Sequence, residues 1–430
     1  MQSANKLILI FSFTLLTSCF FGPVKELKYQ IEDSFEDEID NEKITQLVEI
    51  ANEINYEIIW EQNVGESISK NFKIAHCKNL IFSGEKNGYI HTINAIDGKI
   101  LWKKNIGQTI IAGTACDNKN FYFVTADGFV WAVDHFGQNS WKTFIGQIFS
   151  VPMVQEESIF LKTSGNTFYS LNALNGKLNW MYQAQVPPLT IKSWGEMNYA
   201  NEILYAGLPG GKCLALNSNN GSLIWESTFS PPEGSSDIDR ANDVTSQPII
   251  DEYFIYIVSS AGKVASIDKK NGSVIWSRNL SSFYGLSFFS NNHLIVTHNA
   301  GALYLLDKND GKVSWRNGDY LGRDIKRGTP YLENHIYGDY EGYIHFINRN
   351  SGKTTGRLKI NNASIIDYFS EDNFLYVMDK AANIYKLKIS LNSIQQDSYE
   401  DEDMLQNQNI LIQKNDASDN SLLDDLIFWD

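Results

Sequence analysis

The chain has 430 residues, a formal net charge of −15 at pH 7, 13% aromatic residues and only nine prolines. This composition excludes a largely disordered protein. The acidity lies at the two ends: residues 19–53 hold ten acidic residues and three lysines, residues 391–430 hold ten acidic residues and one lysine, and residues 54–390 are neutral. Because the centre shows no basic patch, nucleic acid is excluded as an expected partner.

The N-terminus is typical of an exported lipoprotein. Lys6 precedes an apolar run at residues 7–16, which is too short to span a bilayer but fits a signal peptide. Residues 16–19 (LTSC) look like a bacterial lipobox, which predicts a lipoprotein signal peptide at residues 1–18 and acylation of Cys19. The alternative is a plain secretory signal in which the cysteine is incidental. We expect anchoring to a membrane through lipid.

An acidic linker is predicted at residues 19–55, between Cys19 and the first repeat. Within it, the apolar spacing of residues 42–55 favours a short helix.

A motif first seen at residues 94–102 (NAIDGKILW) returns six more times; a tryptophan follows the motif glycine by four residues in every copy except the last, which has Gly356 there. Successive glycines are 39, 39, 45, 51, 39 and 41 residues apart, and an apolar hairpin precedes each motif. Glycine suits a tight hairpin, which requires positive φ. The motif glycines are Gly98, Gly137, Gly176, Gly221, Gly272, Gly311 and Gly352.

Four short strands in about 40 residues make one propeller blade. Trp60 occupies the motif's tryptophan position without a preceding turn, and residues 374–389 supply inner strands without a following tryptophan. We therefore predict an all-β fold over residues 56–390, an eight-bladed β-propeller of four-stranded antiparallel blades whose ring is closed by the N-terminal strand. The tryptophans are predicted to be structural and to pack on the neighbouring blade: Trp60, Trp102, Trp141, Trp180, Trp225, Trp276 and Trp315.

Three cysteines follow Cys19, at positions 77, 116 and 213. They are too few for a disulfide framework. Cys77 and Cys116 fall at similar places in consecutive repeats, which favours small buried apolar roles over a bridge.

The A-x-D/N-x-G-K-x-x-W form of the motif resembles the repeats of quinoprotein dehydrogenases and of the BamB family, β-propeller lipoproteins of the outer-membrane β-barrel assembly (BAM) complex. Two non-repeating segments resemble the BamB family more specifically. Residues 234–250 (GSSDIDRANDVTSQPII) resemble its interblade loop, and residues 186–192 (VPPLTIK) resemble its Val-Pro-x-Leu-x-Leu-Arg segment. The resemblance covers about residues 1–19 and 56–390.

The resemblance implies a scaffold on the periplasmic face of a Gram-negative outer membrane. BamB proteins bind the periplasmic domains of BamA, alongside other assembly subunits, and their contact positions correspond here to Leu189, Ile191, Lys192 and Asp243. Lys192 stands where the family has arginine, and Thr245 replaces the loop's second acidic residue. Alternatively, Leu189 and Ile191 belong to an ordinary interblade strand.

Two other functions remain open: a quinone-cofactor (PQQ) dehydrogenase and a generic periplasmic propeller that binds peptides or sugars. The resemblance to these dehydrogenases would imply a longer chain with two adjacent cysteines beside the cofactor, and no two cysteines are adjacent here. The sequence lacks the H-E-x-x-H, G-x-S-x-G and G-x-G-x-x-G motifs, and its seven histidines are dispersed. We expect no catalysis, no cofactor and no metal.

The last forty residues, 391–430, form an acidic tail that is predicted to be disordered. The tail ends in SLLDDLIFWD, in which six apolar residues follow a polar stretch. Such an ending could instead fold on a partner.

Overall fold

The computed structural model describes residues 44–66, 72–146, 150–187, 190, 195–234 and 241–391. Within these ranges the chain forms thirty-two β-strands, arranged as eight four-stranded sheets. The described residues include no helix that is both long and apolar enough to cross a membrane. The expected all-β fold, an eight-bladed β-propeller, is confirmed.

The chain enters the ring with β1 (Ile54–Asn63), which belongs to the last blade. Blade I contains β2 (Ala75–Cys77), β3 (Leu80–Gly84), β4 (Tyr89–Asn94) and β5 (Ile100–Asn105). Blade II contains β6 (Ile110–Cys116), β7 (Asn120–Thr125), β8 (Phe129–Asp134) and β9 (Asn139–Phe144). Blade III contains β10 (Met153–Gln155), β11 (Ser158–Lys162), β12 (Thr167–Asn172) and β13 (Leu178–Gln183). Blade IV contains β14 (Met197–Ala200), β15 (Ile203–Leu208), β16 (Lys212–Asn217) and β17 (Leu223–Thr228).

Blade V contains β18 (Ile249–Ile250), β19 (Phe254–Val258), β20 (Lys263–Asp268) and β21 (Val274–Asn279). Blade VI contains β22 (Leu286–Phe288), β23 (His293–Thr297), β24 (Leu303–Asp307) and β25 (Val313–Asn317). Blade VII contains β26 (Thr329–Tyr331), β27 (Asn334–Gly338), β28 (Tyr343–Asn348) and β29 (Thr354–Lys359). Blade VIII contains β30 (Ile365–Glu371), β31 (Phe374–Asp379) and β32 (Asn383–Leu391), with β1 as its fourth strand.

The strands of each blade differ in burial according to their position. The four central residues of β4 are all buried, because the middle strands pack against neighbouring blades on both faces. The outer strand β5 instead alternates between exposed and half-buried residues. Neighbouring blades meet through large side chains, for example Phe82 and Phe121, whose rings stack with centroids 4.5 Å apart. The hydrophobic core therefore lies between the blades.

The ring is closed by the N-terminal strand, as the sequence predicts. β1 pairs antiparallel with β32 from Ile54 opposite Leu391 to Asn63 opposite Asn383. This pairing joins the two ends of the ring in one sheet, so the last blade depends on residues from both termini.

The expected helix at residues 42–55 is wrong for the described part of that segment. Residues 44–53 have no regular secondary structure, and β1 begins at Ile54. The Glu53 N–H donates to the Thr355 carbonyl at 2.9 Å, and the Thr45 N–H donates to the Leu321 carbonyl at 2.9 Å. The Asn52 side-chain amide donates to the Arg357 carbonyl at 3.1 Å, and the Arg357 N–H donates to Asn52 Oδ1 at 3.1 Å. Backbone groups that a helix would pair internally are thus paired with blades VI and VII.

The repeated tryptophans join each blade to the next. Each lies over the motif glycine of the following blade; for Trp60 the partner is Gly98, with φ +73°, where an added Cβ would lie 2.7 Å from Trp60 Cδ2. Only glycine leaves room for the indole. Six of the indoles also donate Nε1–H to a carbonyl of that blade, the partners being Ala95, His135, Ala173, Ser218, Lys269 and Lys308.

The seventh motif carries Gly356 in the tryptophan position, and the structure provides the reason. A Cβ on Gly356 would lie 2.2 Å from Ile54 Cγ1. The next blade takes its outer strand from the N-terminus, so Ile54 of β1 fills the space that an indole occupies elsewhere.

The expectation that Cys77 and Cys116 are separate apolar residues is wrong, because they form a disulfide. The two residues end the innermost strands β2 and β6 of adjacent blades, and their Cα atoms are 6.3 Å apart. That spacing lies within the bridging range. The equivalence of the two positions was visible in the repeat, but only the packing of adjacent blades shows that it places the two side chains within bonding distance. Cys213 is buried and unbridged, and burial raises the pKa of its thiol.

Candidate partner-binding surface

The two segments that resemble the family's contact segments occupy equivalent places in the fold. Residues 184–196 connect β13 to β14, and residues 229–248 connect β17 to β18. Both therefore lead from the outer strand of one blade to the inner strand of the next. In a four-stranded antiparallel blade such connections share one face of the ring, which we call the loop face. The motif-glycine turns lie on the opposite face, which we call the turn face.

The described flanks of these two connections meet at Gly210, in the turn between β15 and β16. A Cβ built on Gly210 would lie 3.3 Å from Pro187 Cγ and 4.0 Å from Pro232 Cγ. Two segments that are more than forty residues apart in sequence are thus neighbours on the loop face. Leu189, Ile191 and Lys192 themselves lie outside the described residues.

Asp243 is described, and it is almost entirely buried, with 1% of its surface exposed. The Ser260 N–H donates to the Asp243 carbonyl at 2.8 Å, and the Asp243 N–H donates to Ser260 Oγ at 3.3 Å. Its carboxylate interacts electrostatically with the buried Lys162. The Lys162 Nζ donates a hydrogen bond to the Gly207 carbonyl at 2.8 Å. Burial lowers the pKa of Lys162 to about 8, and the charge of Asp243 opposes that shift.

The residue before Asp243 fixes the loop to blade IV. The Asn242 amide donates to the Ser230 carbonyl at 2.7 Å and to Ser230 Oγ at 2.8 Å, and the Gly211 N–H donates to the Asn242 carbonyl at 2.6 Å. Thr245, at the family's second acidic position, donates its hydroxyl to the Phe283 carbonyl at 2.9 Å. This loop is therefore held by hydrogen bonds on both sides of Asp243.

A central cavity of about 1220 Å³ is lined largely by the same set of connections. Lys73 and Glu196 form an ion pair of 2.5 Å in its wall. Arg327 donates to Gln247 Oε1 at 3.1 Å, and burial lowers the pKa of its guanidinium. Asp367 accepts from the Ile74 N–H at 2.9 Å; burial raises the pKa of its carboxyl despite nearby Lys73 and Lys326. The cavity wall mixes apolar side chains with charged side chains of both signs.

The structure also pairs buried histidines with carboxylates inside single blades. In blade VII, His345 Nε2 lies 3.0 Å from Asp339 Oδ2, which also accepts from Arg323 at 2.7 Å. Burial would raise the pKa of Asp339, but hydrogen bonds from His345 and Arg323 outweigh it, so the pKa is lowered. In blade I, His91 Nε2 lies 2.9 Å from Glu85 Oε1. These histidines have structural partners.

Sequence reasoning missed Lys162, Arg323, Arg327 and Asp367. Lys162 ends β11, Asp367 lies in β30, and Arg323 and Arg327 lie in the β25–β26 connection, so none of them stands at a position that the repeated motif marks. The acid and histidine pairs did leave a signal: GEKNGYIH in blade I and GDYEGYIH in blade VII place the acid six residues before the histidine. No group of three or more potential metal ligands occurs among the residues that the structure describes.

The ring, its interlocking tryptophans and its non-repeating loop face define an eight-bladed β-propeller built from PQQ-like repeats. A family model described as "Outer membrane protein assembly factor BamB" matches residues 46–145 and 137–317, more than half of the chain. The chain belongs to the BamB family.

Individual relatives agree with that membership. The outer membrane protein assembly factor BamB of Burkholderia pseudomallei is 27% identical over 325 residues, which cover 75% of this chain and 84% of that protein. The crystal structure of BamB from Moraxella catarrhalis superposes with a TM-score of 0.69 at 19% identity and covers 76% of this chain and 100% of that one. Quinohemoprotein alcohol dehydrogenase from Comamonas testosteroni has a TM-score of 0.64 at 12% identity, covering 77% of this chain and 76% of that one, which is a likeness of fold.

Proposed function

We propose that this chain is a non-catalytic scaffold of outer-membrane protein assembly that binds the periplasmic domains of BamA through its loop face. The observation that carries the proposal is the meeting of the two connections at Gly210, in a chain that belongs to the BamB family. A scaffold needs a stable framework with non-repeating loops on one side, because side chains on such loops provide specificity.

Within this surface, Leu189 and Ile191 supply the apolar burial at the centre of the contact, and Lys192 supplies a charge at its edge. Asp243 acts differently from these three residues. Because its side chain is buried and its backbone is bonded to Ser260, it holds the loop in shape rather than meeting the partner directly.

A lipid on Cys19 anchors the protein to the periplasmic face of the outer membrane. Residues 44–53 run along blade VII, and Thr45 is bonded at Leu321, in the β25–β26 connection of the loop face. The described N-terminal segment therefore begins on the same face as the proposed contact with BamA.

The alternative of a quinone-cofactor dehydrogenase receives no support beyond the common fold. The similarity to the Comamonas testosteroni enzyme is 12% in sequence, and proteins of one fold carry unrelated functions. We propose that no catalytic step takes place on this chain.

The proposal is tested by recovery of BamA with the affinity-tagged, lipidated protein from solubilised outer membranes. We expect Leu189→Asp and Ile191→Asp each to reduce recovery at least tenfold. Leu332→Asp is the matched control, because Leu332 is an exposed leucine on the turn face, between β26 and β27, and its substitution leaves recovery unchanged. Circular dichroism first verifies that each variant is folded.

Unchanged recovery with both loop variants would exclude the assigned surface. Absence of BamA from the wild-type eluate would exclude the scaffold itself. Quinone absorbance in the purified protein would favour the dehydrogenase.

A further inference from the structure

The turn face carries three exposed apolar side chains in three consecutive blades. Ile96, Phe136 and Leu174 occupy the same position of the motif turn in blades I, II and III, and 61%, 82% and 52% of their surfaces are exposed. We call this set the apolar arc. A phenylalanine that is four-fifths exposed is costly in water unless a partner covers it.

The turn does not require an apolar residue at this position. In every motif the N–H at this position donates to the Asn or Asp side chain two residues earlier, for example Phe136 to Asp134 Oδ1 at 2.9 Å. The equivalent residues of blades IV to VII make the same bond and are polar: Asn219, Lys270, Asn309 and Asn350. Apolar side chains therefore appear in one half of the ring without a local structural cause.

The members of the arc are joined through the framework. Each follows directly the residue whose carbonyl accepts the indole of the previous blade: Ala95 from Trp60, His135 from Trp102, and Ala173 from Trp141. The three side chains therefore follow equivalent anchored residues in three adjacent blades, although the turn of blade II is one residue shorter.

The C-terminal end of the ring lies beside the first member of the arc. β32 is the third strand of blade VIII and runs toward the turn face, where it ends at Leu391 opposite Ile54. Lys386 Nζ in β32 donates to the Ala95 carbonyl at 2.9 Å. Five further residues of strand, about 17 Å, separate Lys386 from Leu391, so the chain leaves the ring on the same face as Ile96.

The chain beyond Leu391 has the length and chemistry to cover the arc. Its last nine residues, LLDDLIFWD, contain six apolar and three acidic residues. Thirty-one residues separate Leu391 from Leu422, and a random chain of that length has a root-mean-square end-to-end distance of roughly 30 Å. The acidic residues of this segment would form ion pairs with Lys99 and Lys177, two exposed lysines that follow the motif glycines of blades I and III.

We infer that residues 422–429 of this chain dock on the apolar arc. The apolar side chains at the C-terminus cover Ile96, Phe136 and Leu174, and Asp424 and Asp425 face the two lysines. Because the tail is tethered, its effective concentration at the arc is in the millimolar range, so a weak contact suffices to keep it bound. This inference does not depend on the proposed role of the loop face.

The test is cysteine cross-linking in the full-length protein. Gln138→Cys lies in the same turn as Phe136, and Ser421→Cys precedes the docking residues, so neither substitution removes an apolar contact. Ser273→Cys with Ser421→Cys is the matched control, because Ser273 has the equivalent position in blade V. We expect the intramolecular disulfide to form at least tenfold faster with Gln138→Cys, and adding Phe136→Ser to remove that difference.

Three results would overturn the inference. Equal rates at the two turns would mean that the tail does not prefer the arc, and a rate unaffected by Phe136→Ser would mean that Phe136 is not the anchor. A cross-linked dimer as the main product would assign the arc to a second copy. Non-reducing gels distinguish the products, and circular dichroism verifies the fold of each variant.

Discussion

Trp60 and Lys386 donate hydrogen bonds to the same atom, the carbonyl oxygen of Ala95, at 3.1 Å and 2.9 Å. Trp60 lies in β1 and Lys386 in β32, directly opposite each other in the strand register. Strands from both ends of the chain's ring are therefore bonded to blade I through one carbonyl oxygen, that of Ala95. Closure of the propeller depends on this contact as well as on strand pairing.

Trp60→Ala should lower the free energy of unfolding by about 3–5 kcal/mol, since it removes a large buried side chain from the closure. Trp60→Phe keeps most of the apolar burial but loses the hydrogen bond to Ala95, and the loss of that bond should lower the free energy of unfolding by about 1 kcal/mol. Urea unfolding followed by circular dichroism measures both. A Trp60→Ala variant as stable as the wild type would contradict a role for Trp60 in closure.

Reduction of the Cys77–Cys116 disulfide should destabilise the protein. The bridge spans 39 residues, for which the chain-entropy estimate is about 4 kcal/mol. We expect dithiothreitol to lower the unfolding midpoint of the wild type and to leave that of the Cys77→Ala/Cys116→Ala variant unchanged. Equal sensitivity of the two proteins to the reductant would show that the bridge does not account for the effect.

Acid should destabilise the protein through His335. Burial, with nearby Arg349, lowers the pKa of His335 to about 3, whereas an unfolded histidine has a pKa of about 6.5. The unfolded state therefore binds the proton first, and the free energy of unfolding falls as pH decreases from about 6.5 toward 3. The slope from this group is about 1.4 kcal/mol per pH unit.

Urea unfolding at pH 7, 6 and 5 measures this slope. The His335→Gln variant, although less stable at pH 7, should lose less stability between pH 6 and pH 5 than the wild type, by about 1 kcal/mol. Parallel pH profiles for the two proteins would place the titration elsewhere.

Lys162 and Asp243 should be energetically coupled. Both are buried, and the Asp243 charge favours the charged form of Lys162. Each variant removes the opposite charge that acts on the remaining buried group, so Lys162→Met and Asp243→Asn should each cost about 3 kcal/mol. The double variant should cost less than the sum of the two, by at least about 1 kcal/mol.

The exposed pair of Lys212 and Glu226, at 2.8 Å, is the control for this double-mutant cycle. Its coupling should remain below about 1 kcal/mol, because solvent screens surface ion pairs. Additive costs at Lys162 and Asp243 would show that the two charges do not stabilise each other.

The sequence predicted those features that repeat. Each motif glycine must admit an indole from the preceding blade, so Gly98 and Trp60 recur as a pair at blade spacing. The two incomplete repeats, at Trp60 and at residues 374–389, indicated the closed ring. The helix predicted at residues 42–55 failed because its apolar spacing is local, whereas the groups that bond residues 44–53 lie about 300 residues away in blades VI and VII.

The sequence by itself determined the number of blades, the position of each joint and the order of closure, because these follow from local hairpin chemistry repeated at regular intervals. Only the tertiary structure decided which residues come together between blades: Cys77 with Cys116, Lys162 with Asp243, and both Pro187 and Pro232 with Gly210. Such contacts join non-repeating residues across the ring. Their partners depend on the curvature and packing of whole blades, which no single stretch of the chain encodes.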